Sequence, residues 1–311
     1  MIKTVQSSFL PRSLRSRVGI ACGALGACVA VGLGEHAGAR SIAGADARSA
    51  DGQEPSAPRV ALEAGLEQAF LEQGIRVDVA GGTCAVGVEV CVRGELLEYV
   101  LVAPNGAAHE SLFATGVRPS LLNTALLALG VEPGTNVAWV EKDPPPEEEA
   151  LRSGASPFEV VPPSGDGFRI YVAWQESGEP ETSGDEVHLH PLGDLINNLR
   201  TGRSMRRHRW VFLASRMVRP RPEADEEVLA ADLEGNLINL SYFRAGNTLL
   251  TASLDDCVHQ TIWMPNSFLV PERGARLMLI FSRERLERLP VSLAEHLPRT
   301  DRGGDEPGED R

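Results

Sequence analysis

Ile75-Arg76-Val77-Asp78-Val79, then Gly81-Gly82, then Cys84-Ala85-Val86-Gly87-Val88-Glu89-Val90-Cys91-Val92 is the stretch from which the fold is read. Ile75, Val77 and Val79 alternate with polar residues, and after the paired glycines Cys84, Val86, Val88, Val90 and Val92 put an apolar side chain on every even position. A period of two means a strand with one buried face, so the segment predicts two strands joined at Gly81-Gly82. Arg93-Gly94-Glu95 reads as a three-residue loop. Leu96 to Ala103 follows as a third strand, nearly all apolar and therefore central in the sheet, and Pro104-Asn105-Gly106 ends it.

Working outward, Pro119 suits a first helical position, and Leu121, Leu122, Ala125, Leu126, Leu127 and Leu129 are apolar almost all round before Gly130 stops the helix. A helix over 119–129 with no polar face is expected to be buried on most sides and to plug the sheet. Leu62, Leu66, Ala69 and Phe70 place an amphipathic helix in 62–73. From 141 to 157 the chain is rich in acids and proline, including Pro144-Pro145-Pro146-Glu147-Glu148-Glu149. That composition makes it either a surface insertion or a linker between lobes at 60–140 and 158–297. Strands resume at 168–174, 210–215, 228–232, 237–243, 249–252 and 276–281, with Glu234-Gly235-Asn236 as a hairpin turn and a short helix near Leu192 to Leu199. The expected class is α+β, mainly β: an antiparallel sandwich or partly open barrel with one buried helix.

The amino terminus is set apart. Lys3, Arg12, Arg15 and Arg17 precede an apolar run from Val18 to Leu33, which ends before Ala37-Gly38-Ala39. This is the layout of a signal peptide over 1–39, and the run falls short of the roughly 20 residues a spanning helix needs. The expectation is export to the periplasm or cell surface with cleavage after Ala39; Ala43-Gly44-Ala45 offers a second cut site. Membrane attachment would follow only if the segment were retained or Cys28, in Leu25-Gly26-Ala27-Cys28, were lipidated. Residues 40–58 and 298–311 lack apolar periodicity and read as a disordered linker and tail, leaving a folded body at 60–297.

Removing residues 1–39 takes four bases and one acid from a formal charge of −13, leaving −16. Such an acidic excess argues against a general binder of nucleic acid or anionic membranes. Arg200, Arg203, Arg206, Arg207 and Arg209 run against it, but no aromatic residues interleave them as a stacking platform requires. They read as a solvated loop balancing the acids at 141–149. Of the cysteines that survive processing, Cys84 and Cys91 lie seven positions apart in one predicted strand. That places them on opposite faces about 23 Å apart, beyond disulfide reach. Pairing with Cys257 stays open, and buried free thiols are the default.

Gly94-Glu95-Leu96-Leu97-Glu98-Tyr99, His109-Glu110-Ser111-Leu112 and the helix from Pro119 to its exit at Gly130-Val131-Glu132-Pro133-Gly134 resemble the YdjY-like domain of bacterial envelope proteins. Trp210-Val211-Phe212-Leu213-Ala214-Ser215, Ala231-Asp232-Leu233-Glu234-Gly235-Asn236-Leu237-Ile238 and Pro271 extend the resemblance over nearly all of 75–281. It implies a secreted or lipid-anchored protein, some relatives being fused or neighbouring to redox modules, and it assigns no reaction. Members of the family tend to carry Gly where Ala214 stands, which suggests a looser backbone constraint in this chain, and they lack the long acidic insertion.

Candidate chemistry is sparse. Glu98 lies in an apolar strand, where an acid must find a partner or shift its pKa. The loop bearing His109-Glu110 follows closely, so Glu98, His109 and Glu110 are expected to converge and are the candidate ligands for a divalent metal. Set against that, a loop histidine beside a capping or salt-bridging glutamate is the commoner use, and adjacent strand residues point to opposite sides. His188 and His190 flank Leu189 and would share a face, with exposure after an acidic loop as the plainer account. Asp255-Asp256-Cys257-Val258-His259 offers a cysteine and a histidine without an orienting group, and is set aside as a nucleophile pair. Signatures of hydrolases, zinc proteases, phosphate loops, clusters and haem are absent from the sequence. The functional expectation is therefore an exported, non-catalytic envelope protein that binds an unknown protein or small molecule near Glu98, His109 and Glu110, with no cofactor. The second is a metal-binding redox accessory protein or metal-dependent enzyme using the same residues.

Overall fold

The computed structural model describes residues 65–177 and 185–300. The expected signal peptide, the linker and the carboxy-terminal residues from 301 lie outside the described residues.

Helix α1, over the described part 65–71, leads into β1 (Ile75–Asp78) and β2 (Thr83–Val90). These pair antiparallel, with Ile75 opposite Val86 and Asp78 opposite Thr83. The reversal works because Gly82 takes φ 63 and the Asp78 carboxylate accepts from the Gly81 amide at 2.6 Å. Next come β3 (Tyr99–Val102), β4 (Ser111–Ala114) and helix α2 (Pro119–Ala128). The acidic segment follows as β5 (Ala138–Glu141), α3 (Glu148–Arg152) and β6 (Phe158–Val161). Then the chain makes β7 (Gly167–Glu176), β8 (Glu186–Pro191), β9 (Ile196–Asn198), β10 (Arg203–Ser204) and β11 (Trp210–Phe212). It finishes with β12 (Met217–Val218), β13 (Val228–Leu229), α4 (Ala230–Glu234), β14 (Asn236–Asn239), β15 (Leu250–Thr251), β16 (Trp263–Pro265), β17 (Arg276–Ser282), α5 (Val291–Ala294) and β18 (Arg299–Thr300).

Eight of these strands close a barrel in the order β2, β17, β7, β11, β15, β14, β3, β4 and back to β2. The mainly-β class expected from sequence holds, while the antiparallel sandwich or partly open barrel becomes a closed barrel with two parallel seams, β3 on β4 and β14 on β15. The reason lies in residues 93–98. They do not turn β2 back on itself; they carry the chain across, so β4 lies between β2 and β3. The Arg93 guanidinium ties this crossover to the Val270 and Ser267 carbonyls. β3 is interior to the sheet, as its apolar run requires, with Val100, Leu101 and Val102 fully buried.

Alternation sorts side chains into two layers. Val86 and Val88 of β2, Leu277, Leu279 and Phe281 of β17, and Phe168, Ile170 and Val172 of β7 fill the barrel. Their neighbours Ala85, Met278, Ile280, Tyr171 and Ala173 face outward and are covered by Leu293 and Leu297 of the carboxy-terminal segment. Two buried faces explain why β7 and β17 read as continuous apolar runs. The covering segment stays ordered past 297, because β18 adds to β7 in parallel, Arg299 beside Gln175 and Thr300 beside Glu176.

Helix α2 begins at Pro119, as expected, and Gly130 leaves it with φ 74. Leu122, Ala125 and Leu126 join the main core. Thr124 and Leu127 form an outward strip, Leu127 being 42% exposed, so the helix has a wet face that its apolar composition concealed. The hairpin expected at 234–236 is also replaced: Ala230 to Glu234 coil into α4, and Gly235 at φ 73 ends that turn. Asp232 of α4 then accepts from the Ser120 amide at 2.9 Å, setting a carboxylate at the start of α2. The 192–199 region divides into a 3-10 turn at Leu192–Leu195 and then β9.

The acidic segment is an excursion from one body and not a linker between lobes. The strands before and after it belong to the same barrel, and β5 and β6 form their own hairpin. Thr135 and Ser164 close its base. There Gly134 donates to the Phe212 carbonyl at 2.7 Å, and a Cβ at Gly134 would collide with the Ser164 backbone.

Candidate functional site

At the entrance to β3 the Glu98 amide donates to the Glu110 carbonyl at 2.9 Å, and the Glu98 carbonyl accepts from Leu240 and Ser241. Because β3 and β4 run parallel with Tyr99 beside Ser111, Glu98 and Glu110 hold equivalent places at the strand ends. His109 sits in a 3-10 turn, Ala108–Glu110, and not in an extended segment. That curvature lets adjacent side chains meet, and the His109 Nε2 lies 3.6 Å from the Glu110 carboxylate. The three predicted residues are thus brought to one corner.

The corner is negative and graded in depth. His109 is 79% exposed and Glu110 41%, whereas Glu98 is half-buried. Burial and then the Glu110 charge push the Glu98 carboxyl above its ordinary value, with His109 opposing. Tyr99 stacks on Phe243 with ring centres 5.2 Å apart. Its phenol is pushed up to about 12 by burial and by the charges of Glu98, Glu110 and Glu234, so it is neutral and a hydrogen-bond donor at physiological pH.

His188 and His190 share a face, as their spacing implies, but they are not the exposed pair expected. His188 stacks on Trp174 of β7 with ring centres 4.7 Å apart, and His190 lies tilted against the same ring at 5.3 Å. The His188 Nε2–H donates to the Glu176 carboxylate at 3.1 Å, and Glu186 lies directly across the ladder from Glu176. The ligand atoms of Glu176, Glu186 and His188 all lie within 4.8 Å of one another, the one such group of three among the described residues. The signal that would have found it is register: Trp174 opposite His188 and Glu176 opposite Glu186, across a turn whose length the sequence leaves open.

Cys257 is fully buried within the 3-10 turn Asp255–Val258, and burial pushes its thiol far up. It stays protonated, and His259 two positions on is exposed, so they make no activated pair. Cys84 is likewise buried, with its thiol raised by burial, and Cys84, Cys91 and Cys257 are all free. The arginine run does not balance the insertion. Arg207 forms a two-pronged pair with Asp194 at 3.2 and 2.7 Å, and Arg209 reaches Asp166 and the Gly167 carbonyl.

Fold and corners together define a class: a closed, mixed β-barrel domain with a packed interior, whose conspicuous polar groups sit at strand ends outside the barrel. The family model of the YdjY domain matches residues 75–282, and the chain belongs to that family. No curated protein and no solved structure matches it. No helix among the described residues is long and apolar enough to cross a membrane.

Proposed function

We propose that this is an exported, non-catalytic binding domain of the cell envelope that receives a cationic group of a partner protein or small molecule at the Glu98, His109 and Glu110 corner. One observation carries the reading: two carboxylates are held at the ends of adjacent parallel strands, one of them half-buried and resisting ionisation. A positive group seated between them relieves like-charge repulsion and the cost of burial together. Export rests on the basic, apolar and Ala-x-Ala order of the first 39 residues. The test is binding of a short lysine-rich peptide to the chain starting at Arg40. Saturable binding that weakens with salt and is lost in Glu98→Gln/Glu110→Gln supports the reading; equal binding by wild type and variant sinks it. Export is tested separately by sequencing the amino terminus of protein recovered from outside the cytoplasm, which should begin at Arg40.

A second reading, a metal-binding redox accessory protein or metal-dependent enzyme, draws support from the 4.8 Å clustering of Glu176, Glu186 and His188. Elemental analysis after purification without chelator separates the sites. Metal at about one ion per chain that His188→Ala removes assigns it to the β7–β8 hairpin. Metal that His109→Ala removes assigns it to the Glu98 corner, and a metal-free wild-type chain ends the reading.

A further inference from the structure

On the barrel's outer side, where β7, the end of β8, the segment before β11 and the carboxy-terminal covering segment meet, a cavity of about 410 Å³ opens. Three arginines line it, Arg169, Arg207 and Arg285, with Leu189, Pro191 and Leu286 as its half-exposed apolar wall. In a chain of formal charge −13, three cations around one concavity are the opposite of what composition alone would place there.

Their states differ. The charge of Arg207 is matched by Asp194, whose hydrogen bonds and charge raise its pKa further. Arg285 has Glu287 at 3.6 Å, both side chains being largely exposed, a weak pair in water. Arg169 makes no ion pair among the described residues. It points out of the barrel, since Phe168 and Ile170 on either side of it point in. His208 also lines the cavity, but its Nδ1–H donates to the Arg206 carbonyl at 3.0 Å, and burial pushes the imidazole down to about 4. It is neutral, so the site's positive charge is arginine charge that does not titrate near neutral pH. The one acid among the lining residues is Glu287, and Asp194 lies just behind Arg207.

We infer that this cavity is a binding site for a small organic anion, whose carboxylate or phosphate is held by Arg169 with Arg285 and whose apolar flank rests on Leu189, Pro191 and Leu286. The volume falls in the range of small-molecule sites. A planar guanidinium fork matches a carboxylate or phosphate two-pronged, and such charge-assisted bonds are the stronger kind. The polar rim and apolar wall together call for a ligand with a charged end and a greasy body, which separates it from a bare inorganic ion. This site lies apart from the Glu98 corner and stands or falls independently of it.

The test is calorimetric titration of the chain from Arg40 onward with benzoate, with neutral benzamide of the same shape, and with inorganic phosphate. Saturable benzoate binding is expected, with benzamide at least about tenfold weaker, because one charge-assisted contact corresponds to roughly that factor. Arg169→Ala and, separately, Arg285→Ala should each weaken benzoate about tenfold while leaving the melting temperature within a few degrees. Two variants are used so that misfolding of one does not decide the matter. Tighter binding of inorganic phosphate than of benzoate would show that the apolar wall adds nothing, and would overturn the assignment to an organic anion. Absence of saturable binding by either anion, equal binding of benzamide, or unchanged affinity in both arginine variants overturns the inference.

Discussion

Glu98 and Glu110, twelve positions apart in sequence, are joined by a 2.9 Å hydrogen bond from the Glu98 amide to the Glu110 carbonyl, which fixes their side chains at one corner of the barrel. The backbone bond leaves the carboxylates no freedom to separate by moving their strands. Burial and the Glu110 charge therefore act on Glu98 as a standing penalty on its ionised form.

Stability should accordingly fall as pH rises through the window just above the ordinary carboxylate range. The folded pKa of Glu98 is raised above its unfolded value, so its favourable contribution is complete below the unfolded value and is lost as pH climbs through the folded one. Glu98→Gln removes that charge and should raise the melting temperature at pH 7 by roughly 1–3 °C, with little effect at pH 4. Thermal melts of both proteins at the two pH values check this; an equal shift at both would show that packing and not charge is responsible.

Much of the barrel was legible because it is local. Alternation in 75–92 gave β1 and β2, and the apolar run before Ala103 gave a strand paired on both edges, as β3 is by β14 and β4. Closure was not legible, because it depends on residues 93–98 crossing the barrel, and a crossover and a tight loop have the same polar, glycine-bearing composition. Helix α4 was hidden for a related reason: a glycine after Glu234 serves equally as a hairpin turn or as a helix stop. The Glu98, His109 and Glu110 corner was foreseeable from proximity in sequence. The packing of His188 and His190 against Trp174 depended on strand register and was not.

Ala214 corrects one inference from the family resemblance. The usual glycine at this position suggested that an alanine marks a looser constraint, yet Ala214 has φ 57 and Ser215 φ 55, both left-handed. The constraint is intact and a side chain bears it. Ala214→Gly should stabilise the protein by about 0.5–1 kcal/mol, the relief of left-handed strain less the added chain entropy of glycine. Urea unfolding with unchanged slope measures it; a loss of stability would mean the Ala214 methyl is worth more in packing than the strain it carries.

Gly134 and Gly165 show the converse case, in which two glycines are required by mutual approach. They face each other at the base of the acidic hairpin, and a Cβ on Gly165 would fall 2.6 Å from the Gly134 Cα. Gly134→Ala should cost about 2 kcal/mol or more, while Gly154, left-handed at φ 92 but with open space around it, should cost only about 1 kcal/mol when changed to Ala. Comparing the two by chemical denaturation separates crowding from backbone strain.

Asp232 links the two halves of the chain through the start of α2. Its carboxylate accepts from the Ser120 amide at 2.9 Å, in the first turn of a helix whose own preceding residue, Arg118, supplies no side-chain cap. Pro119 has no amide to donate and Leu121 and Leu122 donate to the Arg118 carbonyl, so Ser120 is the first-turn amide that needs an outside acceptor, and a negative group there is favoured by the helix dipole as well. Asp232→Ala should therefore destabilise by about 1 kcal/mol, and Asp232→Asn by less, since the amide oxygen still accepts while the charge is gone. Amide exchange at Ser120 should quicken in the alanine variant before exchange in β3 does. If both substitutions are neutral and Ser120 exchanges no faster, the Asp232 carboxylate contributes nothing to the start of α2, and the two segments are held by the packing of α2 on α4 alone.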